Sequence, residues 1–293
     1  MKPHPLRAAT ARVVFALVAA AIAATPAWAA RIGILSNKYA TETAADFNTR
    51  IPTHVFTAID TSTTIPTVQS LTSAFDVVLV FEDSTYGNAT AVGNATAAFA
   101  YTGRAVVIGA FYDQDRSDGP AVNSPHGWGA LEGIDPNTTD GAGTPYALRT
   151  LNTATMVRHV LTSGLTSLTS TKFAGGNSAK PGSTVVAWWN QPNALGKPDP
   201  AIAFRITGKA CVIQFAIAPD YPSTGITGTD FSGDFHRAWK NAFDFAAAGC
   251  VSTTGDTAAA DPASIPTLSQ WGLALTILLV GALGIAQRRR RAR

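Results

Sequence analysis

The chain has 293 residues, 46% of them hydrophobic and 14% charged, where an average soluble domain is roughly 25% charged. That apolar fraction excludes wholesale disorder, and the length suits one large domain or two small ones. The formal charge of +3 belongs to the ends: Lys2, Arg7 and Arg12 at one, Arg288, Arg289, Arg290, Arg291 and Arg293 at the other. The remainder holds 14 Lys and Arg against 19 Asp and Glu, a net −5, a poor balance for gripping nucleic-acid phosphates.

Residues 1–29 read as a secretory signal peptide. A basic start precedes a twelve-residue apolar run, Val13 to Ala24, the right length for a signal core and too short to span a bilayer. Pro26 breaks the helix, and Ala27-Trp28-Ala29 offers signal peptidase small residues at both positions it reads, placing the cut after Ala29. An uncleaved N-terminal anchor is the alternative.

Residues 30–250 form the body. Strands are expected at 31–36, 54–60, 75–81 and 104–112, the third a continuous apolar run typical of a strand covered on both faces. Asn88 to Tyr101 shows helical spacing through Val92, Ala95, Ala98 and Phe99, with Gly103 as its stop. Further strands follow at 184–189, 201–206 and 209–217. A last helix runs from about Asp234 to Ala248 with Phe235, Trp239, Ala242, Phe243 and Ala246 on one face. Alternating strands and helices with fully apolar strands predict a three-layer α/β sandwich around a mostly parallel sheet.

Candidate chemistry gathers where strands end, because α/β sheets place their sites there. Glu82 and Asp83 close the third strand; as a pair they suit acid–base work, although neighbours on an extended chain point to opposite faces. Tyr112 and Asp113 close the fourth strand. The loop Asp113-Gln114-Asp115-Arg116-Ser117-Asp118 has a spacing that could offer oxygens to Ca²⁺. It lacks the turn glycine and the distant bidentate Glu, so a solvated polar loop and no metal are expected. His126 and Trp128 could hydrogen-bond and stack on a sugar; ordinary loop packing is the alternative. The body has no G-x-S-x-G elbow, H-E-x-x-H helix or phosphate cradle, and no cofactor is expected.

The two cysteines, Cys211 and Cys250, suggest a disulfide in an exported chain. An eight-residue strand rises about 26 Å, and the 15-residue helix after it returns about 22 Å, which brings Cys250 back beside Cys211. Two separate thiols are the alternative.

Residues 251–264 are small and polar, a linker composition. Ile265-Pro266-Thr267-Leu268-Ser269-Gln270-Trp271-Gly272 follows. From Leu268 to Ala286 runs a stretch of 19 residues, just enough for a spanning helix. The arginines after it stay cytoplasmic by the positive-inside rule, leaving the body outside, with Trp271 at the outer interface.

The string I-P-T-L-S-Q-W-G, an apolar helix and a terminal Arg cluster resemble the IPTL-CTERM sorting signal, a relative of the PEP-CTERM signals of Gram-negative bacteria. The resemblance covers about the last 29 residues, 265–293. It implies that a membrane protease of the exosortase type recognises Ile265, Pro266, Thr267 and Leu268, with Trp271 and Gly272 completing the motif, and removes the helix and tail. Such proteins go to the cell surface or the exopolysaccharide matrix. A permanent single-span anchor in the inner membrane is the alternative.

The body is similar to the class I glutamine-amidotransferase-like, flavodoxin-like fold, and within it to the trehalose-utilisation (ThuA-like) group. The residues that carry this are R-I-G-I-L-S at 31–36, D-V-V-L-V-F at 76–81 and G-R-A-V-V-I-G at 103–109. The turn from Arg158 to Leu165 adds to them, with Val160 where that group has Pro, as do the closing strand and helix. Amidotransferases of this fold carry a nucleophilic Cys after a strand. Here the strand ends Ile108-Gly109-Ala110-Phe111-Tyr112, with neither Cys nor Ser. Two expectations stand: a non-catalytic surface or matrix protein whose cleft (Glu82, Asp83, Tyr112, Asp113, His126, Trp128) binds carbohydrate, or an extracellular sugar-acting enzyme.

Overall fold

The computed structural model describes residues 29–83, 86–120, 127–219 and 230–251. The signal segment (1–28), His126, most of the linker and the whole sorting segment lie outside the described residues. Among the described residues no helix is long and apolar enough to cross a membrane.

Apolar runs build the sheet. β1 (Arg31–Ser36), β3 (Val77–Val80), β4 (Ala105–Ile108) and β11 (Ala210–Phe215) are buried along almost their whole length. β2 (Val55–Asp60) lies outside β1 at the sheet's edge. In space the strands run β2-β1-β3-β4-β11, all parallel, which is the flavodoxin-type order 2-1-3-4-5. β10 (Pro200–Thr207) and β9 (Thr184–Trp188) extend the sheet to seven strands through two antiparallel pairings. The expectation of a mostly parallel sheet holds, with this antiparallel extension as the addition.

Alternate strand residues feed two cores. Ile32, Ile34, Val77, Leu79, Val107, Ile213 and Phe215 pack under α1 (Ala40–Arg50) and α4 (Phe235–Ala247). Leu35, Val78, Val80, Val106, Ile108 and Val212 pack under α2 (Val68–Ala74) and α3 (Ala89–Tyr101). A sheet covered on both faces can carry apolar residues at every position, and each fully buried Val, Leu, Ile or Phe contributes roughly 1.5–3 kcal/mol. α4 buries the expected face, with Trp239 edge-on to Phe215 at 4.7 Å and stacked near Phe243.

Cys211 and Cys250 are joined, with Cα atoms 6.4 Å apart, tying β11 to the residues after α4. Two small sheets draw on the long β4–β11 connection and, for one strand, on the segment after β11. β5 (Asn137–Thr139) pairs with β8 (Asn177–Ala179). β7 (Leu168–Ser170) pairs with β6 (Arg149–Thr150) and β12 (Phe231–Gly233).

Candidate functional site

The carboxyl ends of the parallel strands meet in register. Phe81 N–H donates to Leu35 O, Gly109 N–H to Val80 O and Ala110 N–H to Ile217 O, at 3.2, 2.9 and 3.1 Å. Gly109 fits a tight spot: a Cβ there would stand 3.2 Å from the Phe81 Cβ and 3.4 Å from the Trp239 ring. The strand order reverses between β1 and β3, the place where open α/β sheets hold ligands. Asn37, just past β1, accepts the Asp83 N–H at 3.1 Å and ties the two strand ends together.

Three acids gather beside this point. Glu82 is 2% exposed and Asp113 is 1% exposed, with Asp115 also buried. Burial raises the Glu82 carboxyl well above its usual range, and the neighbouring Asp115 and Asp113 raise it further. Among the described residues Glu82 Oε2 has no hydrogen-bond partner. Burial also pushes Asp113 up to about 7, against the pull of Arg116. The Asn177 amide satisfies its surroundings only with its nitrogen toward Asp113, donating at 3.0 and 2.7 Å. Gln214 on β11 lies 3.1 Å from that amide. The expectation of a solvated acidic loop is therefore corrected: the first half of the loop folds inward, where the Asn177 side chain from β8 receives Asp113. Among the described residues no group of three His, Cys, Asp or Glu is arranged to hold a metal.

Tyr112 and Trp128 serve the core instead of a cleft. Both are fully buried. Their rings stack at 4.8 Å, Trp128 Nε1 donates to Tyr112 O at 2.9 Å, and the Tyr112 hydroxyl donates to Asp135 at 3.0 Å. Asp135 is further paired with Arg116 and Lys180. Glu132 accepts the Ser117 and Trp128 N–H groups at 2.9 and 2.7 Å, pinning both ends of the loop that contains His126. As ligand contacts Tyr112 and Trp128 are corrected, since the packing of α3 and the turn at 129–133 consumes both rings.

A second feature leaves no mark in the linear pattern of residues. Phe111, Phe173 and Tyr146 form an aromatic ridge beside the β4 and β11 ends, with ring centroids 5.2 and 4.8 Å apart along it. Tyr146 is 75% exposed. Phe173 reaches this place because Ala218 N–H donates to Phe173 O, and Phe173 N–H to Pro145 O. A buried carboxyl pair that holds a proton near neutral pH can give and take one. An exposed ring beside it offers an apolar face.

The IPTL-CTERM motif matches residues 263–291. It marks the chain as an exported, sorted protein and implies processing by an exosortase-type system at the membrane. No curated protein matches the chain. Among solved structures the body is similar to the carbohydrate deacetylase Agd3, at 13% identity over 65% of this chain, with a TM-score of 0.40. It is also similar to the β-galactosidase from Rahnella sp. R3, at 15% identity over 69% of this chain, with a TM-score of 0.42. The chain spans 30% of the length of each. Likenesses this distant carry no functional argument.

Proposed function

We propose that the protein is a cell-surface or exopolysaccharide-matrix component, released from the inner membrane by a cut at its IPTL motif, whose amidotransferase-like body holds carbohydrate without chemical turnover. The observation that carries this is the sorting motif at 263–291. A residue before proline is disfavoured in a helix and proteases take extended chain, so Ile265-Pro266 suits a cleavage motif, as does the small, polar composition of 251–264 before it. On this reading residues 1–29 leave as a signal peptide and 30–250 are the working domain. Residues 251–264 are a spacer, and 265–293 an address that is removed. The turn after β4, Gly109-Ala110-Phe111-Tyr112, offers no thiol or serine nucleophile, which favours a binding role. Mass spectrometry of the protein in each cell fraction tests delivery. The mature body should end near 264–268 outside the inner membrane, and replacing Pro266-Thr267 with Ala-Ala should leave an uncut, membrane-held form. A wild-type chain recovered from inner membrane with Arg293 attached overturns the reading.

One observation favours a second reading, an extracellular sugar-acting enzyme: Glu82 and Asp113 are buried together with raised pKa values at the strand ends. Turnover of oligosaccharides that disappears in Asp113→Asn would establish it.

A further inference from the structure

A separate cavity of about 460 Å³ lies at the end of β9, lined by Trp188, Trp189, Asn152, Asn190, Pro192 and Pro198 among others. Its size falls within the range of small-molecule sites, roughly 300–1,000 Å³. β9 is antiparallel to β10 and β10 to β11, so β9 ends on the same edge of the sheet as the acidic cleft. It stands three strands from β4, about 14 Å at the usual strand spacing. The walls are fixed by backbone bonds: Asn152 N–H to Trp188 O, Asn190 N–H to Thr150 O and Trp189 N–H to Asp199 O, at 2.9, 2.8 and 2.9 Å.

The polar groups of this wall are partly uncommitted. Trp189 is 3% exposed, yet its indole N–H has no partner among the described residues. That nitrogen is closed to solvent, so Trp189 gives the cavity ring surface and not its N–H. The Asn190 Nδ2 is held by Thr150 Oγ1 at 3.0 Å, whereas its Oδ1 accepts nothing among the described residues. The Asn152 side-chain amide likewise makes no hydrogen bond among them. No residue of the lining is charged.

We propose that this cavity binds a neutral glycan. The C–H-rich face of a pyranose lies against the partly buried Trp188 ring, and sugar hydroxyls, which both donate and accept, answer the Asn152 and Asn190 amides. A lining without charge gives no anchor for uronic acids or phosphosugars. A proline-rich peptide also suits tryptophan and proline walls. It brings mainly carbonyl acceptors, however, and would leave the two Asn oxygens without donors. The inference rests on the carbohydrate part of the proposed function, places the ligand away from the acidic cleft, and is independent of sorting.

Isothermal titration of the purified, disulfide-intact protein uses soluble gluco-, manno- and galacto-oligosaccharides, an oligouronate and a decaproline peptide as probes. One neutral series should bind and alter tryptophan fluorescence. Trp188→Ala should weaken it about tenfold or more. Asn152→Ala, whose side chain holds nothing in the fold, should weaken it measurably with unchanged stability. Tyr101→Ala, an exposed ring at the far end of α3, should leave it intact. Neutral-glycan binding that survives both cavity variants but is lost in Asp113→Asn overturns the inference and leaves the carbohydrate reading standing. Binding of only the oligouronate or the peptide overturns the inference. Binding of no carbohydrate at all overturns both.

Discussion

Asp113 shows how far one residue's surroundings can override its type. Its carboxyl is pushed up to about 7 by burial, whereas in the unfolded chain it titrates near roughly 3.9. Between those values the folded protein holds a proton that the unfolded chain has lost. The stability tied to Asp113 is therefore complete below about pH 4 and is lost as the pH climbs toward 7. Asp113→Asn keeps the shape and removes the titration. Denaturant unfolding at pH 4.5, 6 and 8 should show the variant overtaking the wild type as pH rises, by at most about 4 kcal/mol. Parallel pH profiles for the two proteins would refute a buried, proton-holding carboxyl. The sequence pattern runs the fourth strand to Tyr112 and its loop into solvent, whereas β4 ends at Ile108 and Asp113 sits in the short 3-10 turn Tyr112–Gln114 that follows. Acid density was visible locally, whereas the amide that receives the side chain, Asn177, comes from β8 far along the chain, with Gln214 of β11 beside it. The same limit hid Tyr146 and Phe173, which reach the site only through backbone bonds between distant loops.

At the scale of elements, the strands with continuous apolar runs and the amphipathic α4 were legible, because burial on both faces or along one stripe leaves a periodic mark. The helices α1 and α2 were not, since their composition is mostly Ala, Thr and Ser. Yet Ala40, Ala44 and Phe47 do share the buried face of α1, and Thr67 with Ser70 caps α2 reciprocally. Three-residue strands such as β5, β7 and β8 are too short for any period to show. Gly93 in α3 separates propensity from packing. On propensity alone, Gly93→Ala should stabilise a helix by about 1 kcal/mol. Here the added Cβ would stand 1.9 Å from Trp128 O, a backbone atom that cannot swing away. The turn at 129–133 would have to lift, and overpacking of that kind costs typically about 1–3 kcal/mol. We therefore expect Gly93→Ala to lower the urea midpoint. Gly133→Ala, with no atom near its Cβ, should stay within roughly 0.5 kcal/mol of wild type. A stabilised Gly93→Ala would mean that α3 and the turn do not pack this closely.

For the molecule as a whole, the address and the chemistry of the body meet in the disulfide. Both were legible for simple reasons: the tail is a linear motif that needs no fold, and two cysteines allow only one intrachain pair. The Cys211–Cys250 bridge closes a loop of sequence separation 39 around the last strand and the last helix of the sheet. Constraining the unfolded chain over such a loop is worth about 4 kcal/mol on the chain-entropy model. Whole domains are stable by only about 5–15 kcal/mol, so the bridge is a large share of what holds the body together. Thiols stay reduced before export, and the exported location implied by the IPTL-CTERM motif is where the bridge forms. The purified body should show no free thiol when unfolded without reductant. Replacing both cysteines with Ser should lower unfolding stability by about 4 kcal/mol, read as a shifted denaturant midpoint. Since α4 covers the sheet face that includes Cys211, the loss should also make α4 the first element to exchange its amide hydrogens. If the double variant unfolds at the wild-type midpoint, the bridge is not a stabilising part of this fold and the link between compartment and stability fails.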